Sequence, residues 1–227
     1  MILNLETSSA CCSVAFSHCG EILGFEEVIE NANHAAILTV LIDELAKRHQ
    51  INLHSLDAIA LSAGPGSYTG LRIGAATAKG LCFALSKPLI AVDSLQALAY
   101  GLYLRHLSDE FFYCPTIDSR RNEIYYGIFG WEGIMLRPST HLVLNPSFLD
   151  VELQKKRVLL GGNGVEKCRN ILNSENLIYD TLTRPSARWM LKLSEKKLQD
   201  KIFCDPVSFE PNYIKPAYIS QKHPAPF

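Results

Sequence analysis

The chain has 227 residues, with 22 Lys and Arg against 23 Asp and Glu, a formal net charge of -1, and 48% hydrophobic residues. At about 150 residues per domain this length gives one large domain or two modest lobes, with enough apolar residues for a sizeable core. The balanced charge argues against a chain that holds nucleic acid by a basic stripe of its own, and the seven scattered cysteines contain no CxxC for a zinc ribbon or a thioredoxin-like centre.

The first elements are short strands. Met1–Leu5 and Cys11–Phe16 flank the polar turn Glu6-Thr7-Ser8-Ser9, and Gly20 turns the chain into a third strand, Ile22–Ile29. From Asn33 to Arg48 a helical period sets in, carried by Ile37, Leu38, Leu41, Ile42 and Leu45, with Ala35, Ala36 and Val40 widening the stripe. Asp57–Ser62 reads as a buried strand. A loop, GPGSYTG, follows and opens a second helix from about Gly70 to Leu85 with Thr69 as its N-cap. That helix is rich in small residues, and its glycines predict a close neighbour, because Gly costs about 1 kcal/mol against Ala inside a helix. Leu89–Val92 is a further buried strand, and Ser94 is expected to cap a third helix reaching about His106. Three strands, then helix, strand, helix, strand, helix, make a mixed sheet covered by helices.

The second half is looser. Tyr113–Ile117 and Glu123–Phe129 are strands around the turn Asp118-Ser119-Arg120-Arg121-Asn122. Val158–Leu160 precedes Gly161-Gly162-Asn163-Gly164 and a short helix. Pro185 is expected to open a helix that runs to about Leu198, and the proline-punctuated tail after Cys204 (Pro206, Pro211, Pro216, Pro224, Pro226) is expected to lie extended on the surface. No internal repeat is visible. Neither long uncharged stretch, Thr7–Gly20 or Ala58–Leu71, reaches the roughly 20 residues of a membrane span. No Lys or Arg precedes the apolar start, so a signal peptide is not expected; reduced thiols and a cytoplasmic location are.

Two loops are candidates for chemistry. The segment Gly64-Pro65-Gly66-Ser67-Tyr68-Thr69-Gly70-Leu71-Arg72 joins a strand to a helix, where free backbone N–H groups favour an anion. Its spacing matches neither the P-loop nor the Rossmann turn, and a plain tight turn accounts for it as well. Glu6-Thr7-Ser8, between the first two strands, stands where actin-like and sugar-kinase ATPases wrap phosphates and place an acid near the metal. The matching second-lobe loop, Gly161–Gly164, brings no carboxylate. Asp118, Arg120 and Arg121 form a third candidate, an anion-binding or simply solvated turn. The histidines are dispersed, with no HExxH, no HxxxH and no GxSxG, so no metal and no nucleophile is expected.

Four segments in this order, MILNLETSSACCSVAF, GPGSYTGLRIGAATAKGL, DSRRNEIYYGIF and VLLGGNG, resemble the TsaB (YeaZ) family, the small actin-like subunit of the bacterial tRNA threonylcarbamoyladenosine machinery. The resemblance implies an α/β, actin-like (ASKHA, ribonuclease H-like) two-lobed fold with mixed central sheets flanked by helices. Residues 1–107 would form the first lobe, and residues 108–227 a smaller, degenerate second lobe with an extended tail. It also implies a non-catalytic subunit with no cofactor of its own, in a complex that uses ATP. Such a subunit pairs with a TsaD-like catalytic paralogue, helps recruit a TsaE-like ATPase, reaches tRNA only through the complex, and is expected to homodimerise when isolated. Glu6 departs from the Asp more usual in the family. The larger paralogue is rejected because Leu38 stands four residues after His34, where that subunit has the second His of its HxxxH pair.

The partner surface expected from the sequence combines Ile37, Leu38, Val40, Leu41, Ile42 and Leu45 with Gly70, Gly74 and Ala78. On that expectation Leu41→Glu breaks pairing and spares the fold. A helix packed between its own sheet and a neighbouring helix has the same pattern, and that alternative stays open. One other function fits parts of the sequence, an autonomous ATPase or small-molecule kinase using Glu6, Thr7 and the Gly64–Gly70 loop; a metallopeptidase finds no HxxxH or HExxH to support it.

Overall fold

The computed structural model describes residues 1–29 and 33–215. In chain order the elements are β1 (Ile2–Glu6), β2 (Cys12–His18), β3 (Glu21–Val28), α1 (His34–Arg48), β4 (Ala58–Ser62), α2 (Tyr68–Leu85), β5 (Leu89–Val92) and α3 (Ser94–His106). They continue with β6 (Phe111–Asp118), β7 (Glu123–Phe129), β8 (Met135–Val143), α4 (Asp150–Leu153), β9 (Arg157–Gly161), α5 (Val165–Arg169), β10 (Leu177–Asp180) and α6 (Leu191–Gln199).

The strands form two five-stranded sheets, β3-β2-β1-β4-β5 and β10-β9-β6-β7-β8. In each, three antiparallel strands are extended by two parallel ones. The second sheet therefore repeats the connectivity of the first, a duplication that the sequence does not display. This is the two-lobed actin-like fold.

β1 is central, and all five of its residues are buried, as a strand paired on both sides requires. Leu3, Leu5, Val14 and Phe16 face α1 and α2 in one core; Ile2, Ala58, Ala60, Ile90 and Val92 face Ala97 and Met190 in another. α3 is shared between the lobes. Its Leu95, Leu98, Ala99 and Leu102 pack with Tyr113, Ile117, Tyr125, Phe129 and Leu159 of the second sheet, while Ala97 belongs to the first.

Trp189, Met190, Leu193 and Leu198 cover the back of the first sheet, so the chain returns there after β10. Two buried bonds fix the return. Ala187 N–H donates to Ser13 Oγ (2.8 Å), and Ser194 Oγ donates to Asn4 Oδ1 (2.6 Å). The first bond also explains why the expected helix from Pro185 starts late. Ser186 is extended, a single 3-10 turn spans Ala187–Trp189, and α6 begins only at Leu191.

Two N-caps differ as well. Ser67, not Thr69, caps α2, its Oγ accepting from Gly70 N–H at 3.2 Å. Asp93, not Ser94, caps α3, accepting from Gln96 N–H at 2.8 Å. Ser94 is buried, and its Oγ accepts from Gly64 N–H instead. The edge strands β8 and β10 went unforeseen: β8 carries Pro138 and a polar Ser-Thr-His run, which only an edge tolerates. Of the tail prolines, Pro216, Pro224 and Pro226 lie outside the described residues.

Candidate functional site

The glycine loop after β4 is built against the β1–β2 turn. Ser67 N–H donates to Ser8 O (2.6 Å), and the Gly64 and Ser94 main chains and side chain exchange bonds of 2.9 and 3.1 Å. A Cβ on Gly66 would stand 2.3 Å from Ser8 O. One on Gly70 would stand 2.1 Å from Thr7 O, and one on Gly74 would stand 2.3 Å from Thr7 Oγ1. Of the three glycines of α2, Gly70 and Gly74 have the close neighbour their presence predicts, and it is the chain's own turn; Gly80 does not. Gly64, at φ +104°, lies under the Asn212 carbonyl.

Glu6 and Thr7 sit behind this loop and are fully enclosed. Glu6 Oε1 accepts from Ser8 N–H (2.5 Å) and Ser62 Oγ (2.9 Å), and Ser62 Oγ accepts from Thr7 N–H (3.3 Å). Burial pushes the Glu6 carboxyl up, against the opposing pull of the Ser8 and Ser62 bonds and of His34. Its role in this geometry is to tie the ends of β1 and β4 together. A carboxyl with a raised pKa holds its proton more tightly folded than unfolded. Its stabilising contribution is complete below the unfolded value of about 4.3 and is lost as pH climbs through the folded value. Glu6→Gln, neutral at every pH, is therefore expected to fold and to show a smaller fall in Tm between about pH 5 and about pH 8 than the parent, as read by thermal melts.

In front of the loop lies a cavity of about 780 Å³ between the lobes. Gly66, Ser67 and Thr69 line one side; Asp118, Ser119, Arg120, Arg121 and Asn163 line the other. Thus the candidate loops of the two halves do meet, except that Glu6, Thr7, Gly64 and Arg72 are not on the wall. Arg72 lies over the Tyr68 ring, 4.2 Å from its centroid. Arg120 and Arg121 both have positive φ, +65° and +45°, in the tight β6–β7 turn. That conformation costs about 1 kcal/mol or more for each non-glycine residue. Arg120 N–H is held by Asp118 Oδ1 (2.7 Å), and Lys167 Nζ bonds the same oxygen (2.6 Å). Ser8, the third residue of the candidate Glu6-Thr7-Ser8 turn, does line the cavity, its buried Oγ without a partner among the described residues; sequence reasoning missed the tail residues Asn212, Tyr213 and Lys215, which also line it. No cluster of three or more metal-ligating side chains occurs among the described residues.

The expected partner surface is mostly core. Leu38, Leu41, Ile42 and Leu45 are buried against the first sheet, Ile37 is half-buried, and Gly70, Gly74 and Ala78 face inward. Of that set only Val40 is turned out, 48% exposed. Helical spacing places Ala36 with Val40 on the outer side of α1, and Ala76, Gly80 and Phe83 on the outer side of α2. Phe83 is 89% exposed, and a Cβ on Gly80 would meet nothing within 4 Å. The two helices pack side by side over the core.

Comparison with known proteins agrees with this fold. The model for the family described as TsaD, tRNA N6-adenosine threonylcarbamoyltransferase, matches residues 26–133. A transferase of that name from Bartonella bacilliformis is 42% identical, but over only 32% of this chain and 20% of its own. By contrast, the tRNA threonylcarbamoyladenosine biosynthesis protein TsaB of Haemophilus influenzae is 28% identical over 98% of this chain and 97% of its own. The solved structure of YeaZ from Pseudomonas aeruginosa superposes with a TM-score of 0.79 at 28% identity, covering 93% of this chain and 98% of that one. A polyphosphate/ATP-glucomannokinase from Arthrobacter shares the fold alone, with a TM-score of 0.50 at 10% identity. End-to-end similarity to TsaB proteins, the YeaZ superposition and the doubled actin-like topology agree: along its whole length the chain is similar to the TsaB (YeaZ) family.

Proposed function

We infer that this protein acts in tRNA threonylcarbamoyladenosine biosynthesis as a cytoplasmic, non-catalytic subunit. It pairs with a TsaD-like catalytic paralogue, helps to recruit a TsaE-like ATPase, and meets tRNA only through that assembly. It needs no cofactor of its own, while the complex consumes ATP. The names of its full-length relatives give the pathway. No described helix is long and apolar enough to cross a membrane.

The observation that carries the pairing is Gly80. A glycine in the middle of an 18-residue helix costs stability, and unlike Gly70 and Gly74 it makes room for nothing among the described residues. Beside it stand the exposed Phe83, Ala76 and, on the neighbouring helix, Val40. A small residue flanked by apolar ones on a helix pair admits a second helix pair at close range. In the isolated chain the same face offers a route to a homodimer.

Gly80→Ala separates the two contributions. It is expected to stabilise the isolated chain by about 0.5–1 kcal/mol in denaturant unfolding, since nothing obstructs the methyl group. It is also expected to weaken binding to the TsaD-like subunit in calorimetric titration. Binding unchanged by a bulkier Gly80→Leu would remove Gly80 from the interface. The ATPase reading is disfavoured by the enclosure of Glu6, which is fully buried, bonded to Ser8 and Ser62 through Oε1, and not part of the cavity lining.

A further inference from the structure

The segment after α6 crosses from one lobe to the other. Cys204 pairs antiparallel with Leu89 at the open edge of β5, its N–H donating to Leu89 O at 2.8 Å. Asp205 gathers a turn by accepting from Val207 N–H and from the N–H and Oγ of Ser208. Lys79 of α2 donates to Val207 O (3.3 Å), and Phe209 packs on the first core. Asn212 N–H then donates to Ala63 O at 2.7 Å, and the Tyr213 ring rests against Tyr68 with centroids 4.6 Å apart. Up to this point every contact is with the first lobe. The next residue, Ile214, joins the cluster around Tyr113 and Tyr125, and Lys215 pairs with Glu123 of β7, which also bonds His141 Nε2 at 3.1 Å.

The anchoring is unequal. From Cys204 to Phe209 the segment is held on the first lobe by a strand bridge at Leu89, the Lys79 bond to Val207 and the half-buried Phe209, followed by a single backbone bond at Ala63 and a tilted contact between the Tyr213 and Tyr68 rings. On the second it has one aliphatic side chain and an ion pair whose lysine is 38% exposed, and such a pair adds little in water. Asn212, Tyr213, Ile214 and Lys215 also form a wall of the interlobe cavity, with the Asn212 carbonyl covering Gly64. The opposite side of the junction is fixed, because α3 packs into both sheets.

We propose that residues 204–215 are an intramolecular strap, fast on the first lobe from Cys204 to Phe209 and hooked to the second by Lys215, whose release lets Asn212–Lys215 lift and opens the approach to the Gly64–Thr69 loop and the Arg120–Arg121 turn. The hook is the weak link, so its loss frees the end of the strap while leaving both cores intact.

Amide hydrogen exchange of the full chain, followed by NMR, tests this with Lys215→Ala and Lys215→Arg. In Lys215→Ala the Asn212 and Tyr213 amides are expected to exchange at least about fivefold faster, with amides of β1 and α1 changed by less than about twofold. Lys215→Arg, which keeps the charge, is expected to restore the parent rates. Unchanged exchange at Asn212 in Lys215→Ala would overturn the proposal, as would an equal acceleration in β1 and α1, which signals general destabilisation instead of a released strap.

Discussion

Val40→Glu combined with Phe83→Glu is expected to weaken association with a TsaD-like subunit at least about 30-fold, the equivalent of about 2 kcal/mol for losing an aromatic anchor and burying unpaired charge. The fold should be unaffected. Both side chains are largely in solvent, and exposed substitutions usually change stability by less than about 0.5 kcal/mol. Leu41→Glu is expected to behave oppositely. Leu41 is 8% exposed and belongs to the core formed with Leu3, Leu5 and Phe16, so a carboxylate there should destabilise by about 4 kcal/mol or more. Parallel thermal melts and calorimetric titrations distinguish the two: one variant loses its partner and keeps its Tm, the other loses its Tm. A doubly charged variant that still binds normally would rule out the outer face of α1 and α2 as the contact.

Gly70→Ala is the second substitution expected to have a large effect, here on stability. Its methyl would fall 2.1 Å from the Thr7 carbonyl oxygen, and that oxygen belongs to a turn tied down by Glu6, Ser8 and Ser62. Neither backbone can yield without breaking those bonds, so about 3 kcal/mol of destabilisation is expected, at the upper end of ordinary overpacking. Urea unfolding measures it. The contrast with Gly80→Ala is the sharper result. Two glycines ten residues apart on one helix receive the same methyl group, and one substitution should destabilise while the other stabilises.

How much of this was legible in the sequence follows from where each signal resides. The first sheet and its helices were readable because β1, β4 and β5 are compact apolar runs and α1 carries a wide stripe at helical spacing. The glycine-rich loop was readable as a strand-to-helix turn, and its glycines did predict close approach. What approached them was not readable: Thr7 and Ser8 lie some 60 residues upstream, and only the folded register brings them under Gly66, Gly70 and Gly74. For that reason the small-residue face reads equally as a partner surface and as core. A stripe of small and apolar side chains shows that something packs there, and not whether the neighbour belongs to the same chain. Within α2 the two kinds of glycine separate only when the coordinates show which has an internal neighbour.

The second lobe was less legible for a related reason. β8 and β10 are edge strands with polar residues or few residues, so their alternation is weak. The return of α6 to the first sheet depends on Asn4 and Ser13, nearly 190 and 174 residues away in sequence, bonding to Ser194 and Ala187. At the cavity, Arg120 and Arg121 were identifiable as a candidate turn, but their positive φ values and their position opposite Ser67 and Thr69 are properties of the fold alone.

The most direct measurement of the central claim is reconstituted threonylcarbamoyl transfer to tRNA, with this chain, a TsaD-like subunit and a TsaE-like ATPase each left out in turn. The expected result is that omission of this chain abolishes transfer, that the Val40→Glu and Phe83→Glu variant fails to replace it, and that Glu6→Gln replaces it fully. Full activity without the chain, or loss of activity with Glu6→Gln in a correctly folded protein that still binds its partner, would contradict a non-catalytic subunit acting through the outer face of α1 and α2.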